Sequence, residues 1–263
     1  MSWLVSLTRF WSSEVVIRSV TNAVITREVD SAVCVLTINR DEKRNALSVE
    51  LCAELVAALE KCVADGARTI VLTGAGSVFS AGADLDETDF HGELYPAIEH
   101  LIQTMATLPI PIVAFVNGQA IGAGAMLAMA CDIRIASPIA GFRIPVSDMA
   151  IGVDAATVEA LESLVGGSRA RAMLLYGWVL PSSEAVDCGF ALRQGTLDDA
   201  IEMATEISTK APLTIKQLKM EFARDAFSFA ERNEAREEAW NSDDHVEVTR
   251  ARKEGREPKF TGR

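Results

Sequence analysis

The sequence predicts an α/β fold in which strands alternate with helices and then give way to helices alone. Three observations predict it. Runs rich in β-branched residues at 33–38, 69–73, 112–116 and 132–136 read as strands. Segments of helical periodicity separate them, and strands so separated pair in parallel through right-handed crossovers. From Ala155 onward the pattern is helical throughout, with breaks at Gly166-Gly167, Pro181 and Pro212.

Each element has a local reason. Val33-Cys34-Val35-Leu36-Thr37-Ile38 is the first strand. Ser48 then N-caps a helix to about residue 64, with Glu50 in its first turn and Leu51, Leu55, Ala58, Leu59 and Val63 on one face. Thr69-Ile70-Val71-Leu72-Thr73 is a buried strand, broken by Gly74-Ala75-Gly76. A helix near 94–107, a strand at 112–116, a helix near 122–130 and a strand at 132–136 continue the alternation. The later helices are expected at 155–164, 168–176, 182–187, 196–210, 212–224, 227–240 and 243–254. Charge concentrates over 231–256, the mark of a solvated helical face. The expected division is an N-terminal extension (1–20), a core (21–195) and a C-terminal helical region (196–263), with no linker or repeat marking a separable second domain.

Composition narrows the partners. A chain of 263 residues with 49% hydrophobic and 24% charged residues has ample material for a buried core. No apolar run approaches the ~20 residues of a membrane span. Residues 1–20 carry Trp3, Leu4, Leu7, Phe10 and Trp11 with Arg9 interrupting, unlike a signal peptide, so a cytoplasmic protein is expected. The net charge of −12 argues against nucleic acid. Five scattered cysteines, with 34, 52 and 131 in apolar contexts, read as buried free thiols. Three histidines without ligand spacing give no expectation of a metal.

Two small-residue segments carry the chemistry. Asn117-Gly118-Gln119-Ala120-Ile121-Gly122-Ala123-Gly124 opens onto an apolar helix, and Gly74-Ala75-Gly76 leads into Phe79-Ser80-Ala81-Gly82-Ala83-Asp84-Leu85. Glycine and alanine leave backbone N–H groups open to close approach, and those at a helix start lack intrahelical partners. Such donors can hold a polarised carbonyl or a developing oxyanion. Taken alone, tight packing through small residues explains each segment equally well.

Together the two segments resemble the signature loops of the enoyl-CoA hydratase/isomerase (crotonase) superfamily. Asn39-Arg40-Asp41-Glu42-Lys43-Arg44-Asn45-Ala46-Leu47 resembles the family's first CoA-contacting loop, and the ending Pro258-Lys259-Phe260-Thr261-Gly262-Arg263 is also similar. The resemblance extends from about Ala23 to the C-terminus. It implies a crotonase-like spiral of ββα repeats, with a helical C-terminal region that builds a homotrimer or a dimer of trimers. It also implies a CoA thioester as ligand and no covalently bound cofactor. Carried over residue by residue, the oxyanion donors fall on the N–H groups of Ala83 and Ala123. Contacts to CoA fall on Lys43, Arg44, Ala46, Ala81, Leu85 and Gly122.

The acid–base half of the family's machinery is different here. Hydratases carry one glutamate three residues after the second donor, where this chain has Met126. They carry another after proline in Phe-x-x-Pro-Glu, where Phe142-Arg143-Ile144-Pro145-Val146 places valine. Neither side chain exchanges a proton, and both make an acyl pocket drier and better suited to an alkyl chain. The chain resembles mycobacterial hydratase-like proteins without these glutamates, associated with fatty-acid and lipid metabolism. The resemblance therefore implies an acyl-CoA-binding protein, nominally a lyase or isomerase but without standard hydratase chemistry. The alternative is an active hydratase or isomerase using Asp154, or a water held at the oxyanion site. Asp154 aligns with the acidic position of dienoyl-CoA isomerases; the competing expectation for it is an N-cap before Ala155. Asp84 is expected to organise its loop, and His91, Glu99 and Glu159 to lie at the surface. Lys253 or Arg256 is expected to replace the family's C-terminal CoA lysine, whose place falls on Gly255.

Overall fold

A strip of antiparallel strands begins the described part of the chain. The computed structural model describes residues 16–20, 23–30, 32–87 and 89–263, beginning with β1 (Val16–Val20), β2 (Val24–Asp30) and β3 (Val33–Ile38). Ser48 caps α1 (Val49–Ala64), its Oγ accepting from the Leu51 N–H at 3.2 Å. The chain then passes three times through one ββα unit. The first is β4 (Thr69–Gly74), β5 (Val78–Ser80) and α2 (Tyr95–Thr107). The second is β6 (Ile112–Val116), β7 (Gln119–Ile121) and α3 (Ala123–Ala130), and the third is β8 (Ile133–Ala136), β9 (Gly141–Arg143) and α4 (Ala155–Val165).

Beyond these turns lie α5 (Gly167–Tyr176), β10 (Leu180–Pro181), α6 (Ser182–Asp187) and β11 (Arg193–Gln194). Four helices follow: α7 (Leu197–Ser208), α8 (Pro212–Phe222), α9 (Phe229–Trp240) and α10 (Asp243–Glu254). The first strand of each turn joins a seven-stranded sheet ordered β1-β2-β3-β4-β6-β8-β11, parallel from β3 onward. The second strand joins a four-stranded sheet ordered β10-β9-β7-β5. This is the spiral that the resemblance implies.

Alternation along the strands sorts residues between two cores. Cys34, Leu36 and Ile38 face the main core, while Val33 and Val35 face away. Val71, Val113 and Ile135 join the second set, packed under Ala200 and Ala204 of α7. Both faces of the parallel sheet are thereby covered, which is why its strands read as apolar runs. The helical region assigned to 196–263 thus begins by completing the core. Lys219 of α8, only 6% exposed, ties that region inward by pairing with Asp132 at 2.7 Å.

Some expectations need revision. The stretch after 155 is not helical throughout, because β10 and β11 pair with β9 and β8. Residues 16–20 of the assigned extension form an edge strand; residues 1–15 lie outside the described residues. None of the five cysteines is in a disulfide; four of them are buried and Cys188 is half-buried. Among the described residues no helix is long and apolar enough to cross a membrane.

Candidate active site

Parallel pairing of β5 with β7 makes the loops at their carboxyl ends emerge side by side. Gly82 of the first loop has φ +96°, and a Cβ there would lie 2.5 Å from the Ile121 carbonyl oxygen and 3.3 Å from the Ala123 nitrogen. Only glycine allows this approach. The Leu47 N–H donates to the Gly82 carbonyl at 2.7 Å, and the Asp84 N–H to the Leu47 carbonyl at 2.8 Å. Between them, the Ala83 N–H donates to no group among the described residues. The same holds for Ala123, the first residue of α3, where the helix's N–H groups find carbonyl partners only from Ala125 onward.

The CoA loop found in the sequence is stitched to this platform. Lys43 and Arg44 are exposed, with Lys43 paired to Asp86, whose carboxylate raises the ammonium above its ordinary value. Arg44 and Asn45 both adopt left-handed backbone, φ 53° and 56°. Buried Asn45 holds them there: its Nδ2 donates to the Ala75 and Val78 carbonyls at 2.9 and 2.7 Å, and its Oδ1 accepts from the Arg40 N–H at 3.0 Å. Asp84 accepts from the Asp86 N–H at 3.1 Å and pairs with Arg40 at 2.6 Å. Burial alone would raise the Asp84 carboxyl, but the Asp86 N–H and the Arg40 guanidinium outweigh it and hold it below the usual range. Its role is loop architecture.

A cavity of about 280 Å³ opens against the two loops, lined on that side by Ala81, Gly82, Ala83, Leu85, Gly122 and Ala123. Met126 and Val146 also line it, with Ile98, Phe90 and Ile144. Among the described residues none of the lining side chains is a carboxylate, and only Tyr95 and Arg143 carry protic groups. Arg143 is occupied, donating from Nε to the Gly177 carbonyl at 2.7 Å and pairing with Asp148 at 2.7 Å. The Tyr95 phenol is pushed up by burial first, then by the carboxylates of Glu99 and Asp154.

The remaining expected residues divide clearly. Ala46 is buried beneath the loop and does not line the cavity. Asp154 also lies off the wall; its Oδ1 accepts from the Thr157 N–H at 2.7 Å and caps α4, which lowers its carboxyl. His91, Glu99 and Glu159 are exposed. Gly255 ends α10 in left-handed backbone, while Arg256 pairs with Glu247 at 2.5 Å and Glu254 at 2.7 Å. The sequence assigns no role to Tyr95 or Arg143 and does not disclose the stitching by Asn45. Asn45 sits within a motif already noticed, whereas Tyr95 has no motif and gains meaning only when α2 closes over the cavity.

Known proteins share this fold and much of this sequence. Residues 28–263 match the profile of the family described as Enoyl-CoA hydratase/isomerase, and the chain belongs to that family. It is 42% identical over 234 residues to the "Probable enoyl-CoA hydratase echA6" of Mycobacterium bovis, covering 88% of this chain and 96% of the relative. A Bacillus subtilis protein named "Probable enoyl-CoA hydratase" is 34% identical over 256 residues, covering 90% and 98% of the two chains. The crystal structure of an enoyl-CoA hydratase from Bacillus anthracis superposes with a TM-score of 0.81 at 27% identity, over 92% of this chain and all of that one. The ββα spiral is the crotonase fold.

Proposed function

We propose that this protein binds acyl-CoA thioesters, in the service of fatty-acid and lipid metabolism, without ordinary hydratase chemistry. One observation carries the proposal: among the described residues, a single cavity joins two backbone N–H groups without internal partners to a wall without carboxylates. In this reading the Ala83 and Ala123 N–H groups receive the thioester oxygen, and a low-dielectric site makes such fixed donors effective. Lys43 and Arg44 face the CoA phosphates, supplying local positive charge on a chain whose net charge is −12. Ala81, Leu85 and Gly122 border the rest of CoA. Met126 and Val146 stand where the family's hydratases carry proton-transferring groups, and the alkyl chain packs against them. Assembly follows the family as a homotrimer or a dimer of trimers; exposed Phe222, Phe229 and Trp240 on the C-terminal helices support this.

The test is a pair of measurements on one preparation. Calorimetric titration should show crotonyl-CoA and longer acyl-CoAs binding, with affinity rising as the chain lengthens. Hydration of crotonyl-CoA should run at least about 10²–10⁴-fold below active family hydratases, the contribution of one general acid–base group. Turnover at a rate typical of those enzymes overturns the proposal. So does failure of every acyl-CoA to bind.

A further inference from the structure

One contact far from the cavity is closer than two thiols ordinarily pack. Cys34 on β3 and Cys62 near the end of α1 are both buried, and their sulfurs lie 2.8 Å apart. Non-bonded heavy atoms settle at about 3.5–4.0 Å, whereas bonded sulfurs lie about 2.05 Å apart. Strand and helix therefore already hold the thiols nearer than ordinary packing allows. A space of about 30 Å³ borders both, rimmed by Thr26, Glu28, Lys61 and Asp65. A water-sized molecule needs roughly 10–15 Å³. The space thus admits an oxidant as small as hydrogen peroxide and excludes a bulky organic disulfide.

We propose that Cys34 and Cys62 form a peroxide-reactive dithiol that closes to a disulfide joining β3 to α1. One sulfur, as thiolate, attacks a peroxide oxygen; the O–O bond breaks, and the departing hydroxide takes up a proton to become water. The sulfenic acid so formed is attacked by the second sulfur, the S–O bond breaks, and a second water leaves. Two thiols are oxidised by two electrons, one peroxide is reduced, and one disulfide and two waters result. Among the described residues the rim sets Glu28, Asp30 and Asp65 against Lys61, a balance that opposes thiolate formation. The reaction is therefore slow compared with that of a dedicated peroxide sensor. The bond would enclose the whole segment between β3 and α1, including the loop of Lys43 and Arg44.

The experiment uses the full, reduced chain treated with hydrogen peroxide, then alkylated and digested without reductant. A Cys34–Cys62 peptide short of two hydrogens is expected, abolished by dithiothreitol. Cys52 and Cys131, whose thiols burial pushes up to about 12, should be recovered alkylated. The thermal midpoint should rise by about 5–10 °C on bridging, since the bond removes freedom from the unfolded chain. Cys34→Ser should lose both cross-link and rise. Oxidised glutathione should bridge the pair about tenfold more slowly or worse, for want of access. Recovery of Cys34 and Cys62 as alkylated thiols after peroxide has oxidised Cys188 overturns the proposal. Sulfinic acid at either position without a cross-link does so too, and equally fast bridging by glutathione overturns the choice of oxidant.

Discussion

The loop wall and the acyl wall border one cavity but are built from different atoms. Gly82, Ala83, Gly122 and Ala123 offer backbone, positioned by sheet pairing and by hydrogen bonds from Leu47 and Asp84. Met126 and Val146 offer only side chain, carried on α3 and on the segment after β9. The loop wall answers to the fold, and the acyl wall to the identity of single residues. Under the proposed function, binding and proton transfer therefore rest on different walls.

The largest test is to put chemistry back. Met126→Glu combined with Val146→Glu should raise crotonyl-CoA hydration by about 10²–10⁴-fold, measured as loss of the enoyl absorbance. Two carboxylates in an apolar wall should at the same time weaken binding of long acyl chains. No gain in a folded, CoA-binding double variant would show that the loop wall, and not only the acyl wall, departs from a working hydratase.

The loop wall is tested next. Gly82→Ala forces an L-residue to φ +96° and into the Ile121 carbonyl, costing about 1–3 kcal/mol from the backbone alone and more from the contact. Thermal melting should show the loss, with acyl-CoA binding falling alongside it. Ala123→Pro is gentler, because proline suits the first position of a helix. It deletes one donor and should weaken thioester binding by about 1–3 kcal/mol while sparing free CoA. Equal losses for both ligands in a well-folded variant would remove Ala123 from the oxyanion site.

Smaller effects sharpen the boundary between the walls. Asp154→Ala should cost ~1 kcal/mol of stability and Asp154→Asn almost nothing, with acyl-CoA affinity unchanged in both, as expected of a cap. An isomerase activity present in the wild type and lost in the asparagine variant would make Asp154 a catalytic base. Acid should loosen the loop wall by a modest amount. The folded Asp84 carboxyl titrates below its unfolded value of about 3.9. Its contribution is complete above that value and is lost as pH falls through the folded one. The thermal midpoint should therefore hold from pH 8 to 5 and fall below about 4, with Asp84→Asn blunting the fall.

What the sequence disclosed follows the same division. Elements with strong local signals are where expected: Ser48 caps α1, and 33–38, 112–116, 182–187 and 243–254 match to the residue. The short strands β5, β7 and β9, three residues each, escaped notice. Three residues of glycine- and alanine-flanked chain show no period, and their pairing comes from the spiral. The small-residue loops were legible because close approach demands those residue types. The contents of the acyl wall beyond Met126 and Val146 were not, since Tyr95 and Arg143 come from separate turns of the spiral. Proximity of Cys34 to Cys62 was equally hidden, because each lies in an ordinary apolar run.

The use of main-chain donors has a consequence for how such a protein responds to random mutation. A single codon change can erase a catalytic glutamate, and any of many replacements will do it. An amide N–H survives every substitution at its own position except proline. The N–H groups of Ala83 and Ala123 thus survive most coding change, and exchanges among small residues leave them open to approach. Drift in the genome would strip proton transfer from such a cavity long before it removed the cradle for a thioester.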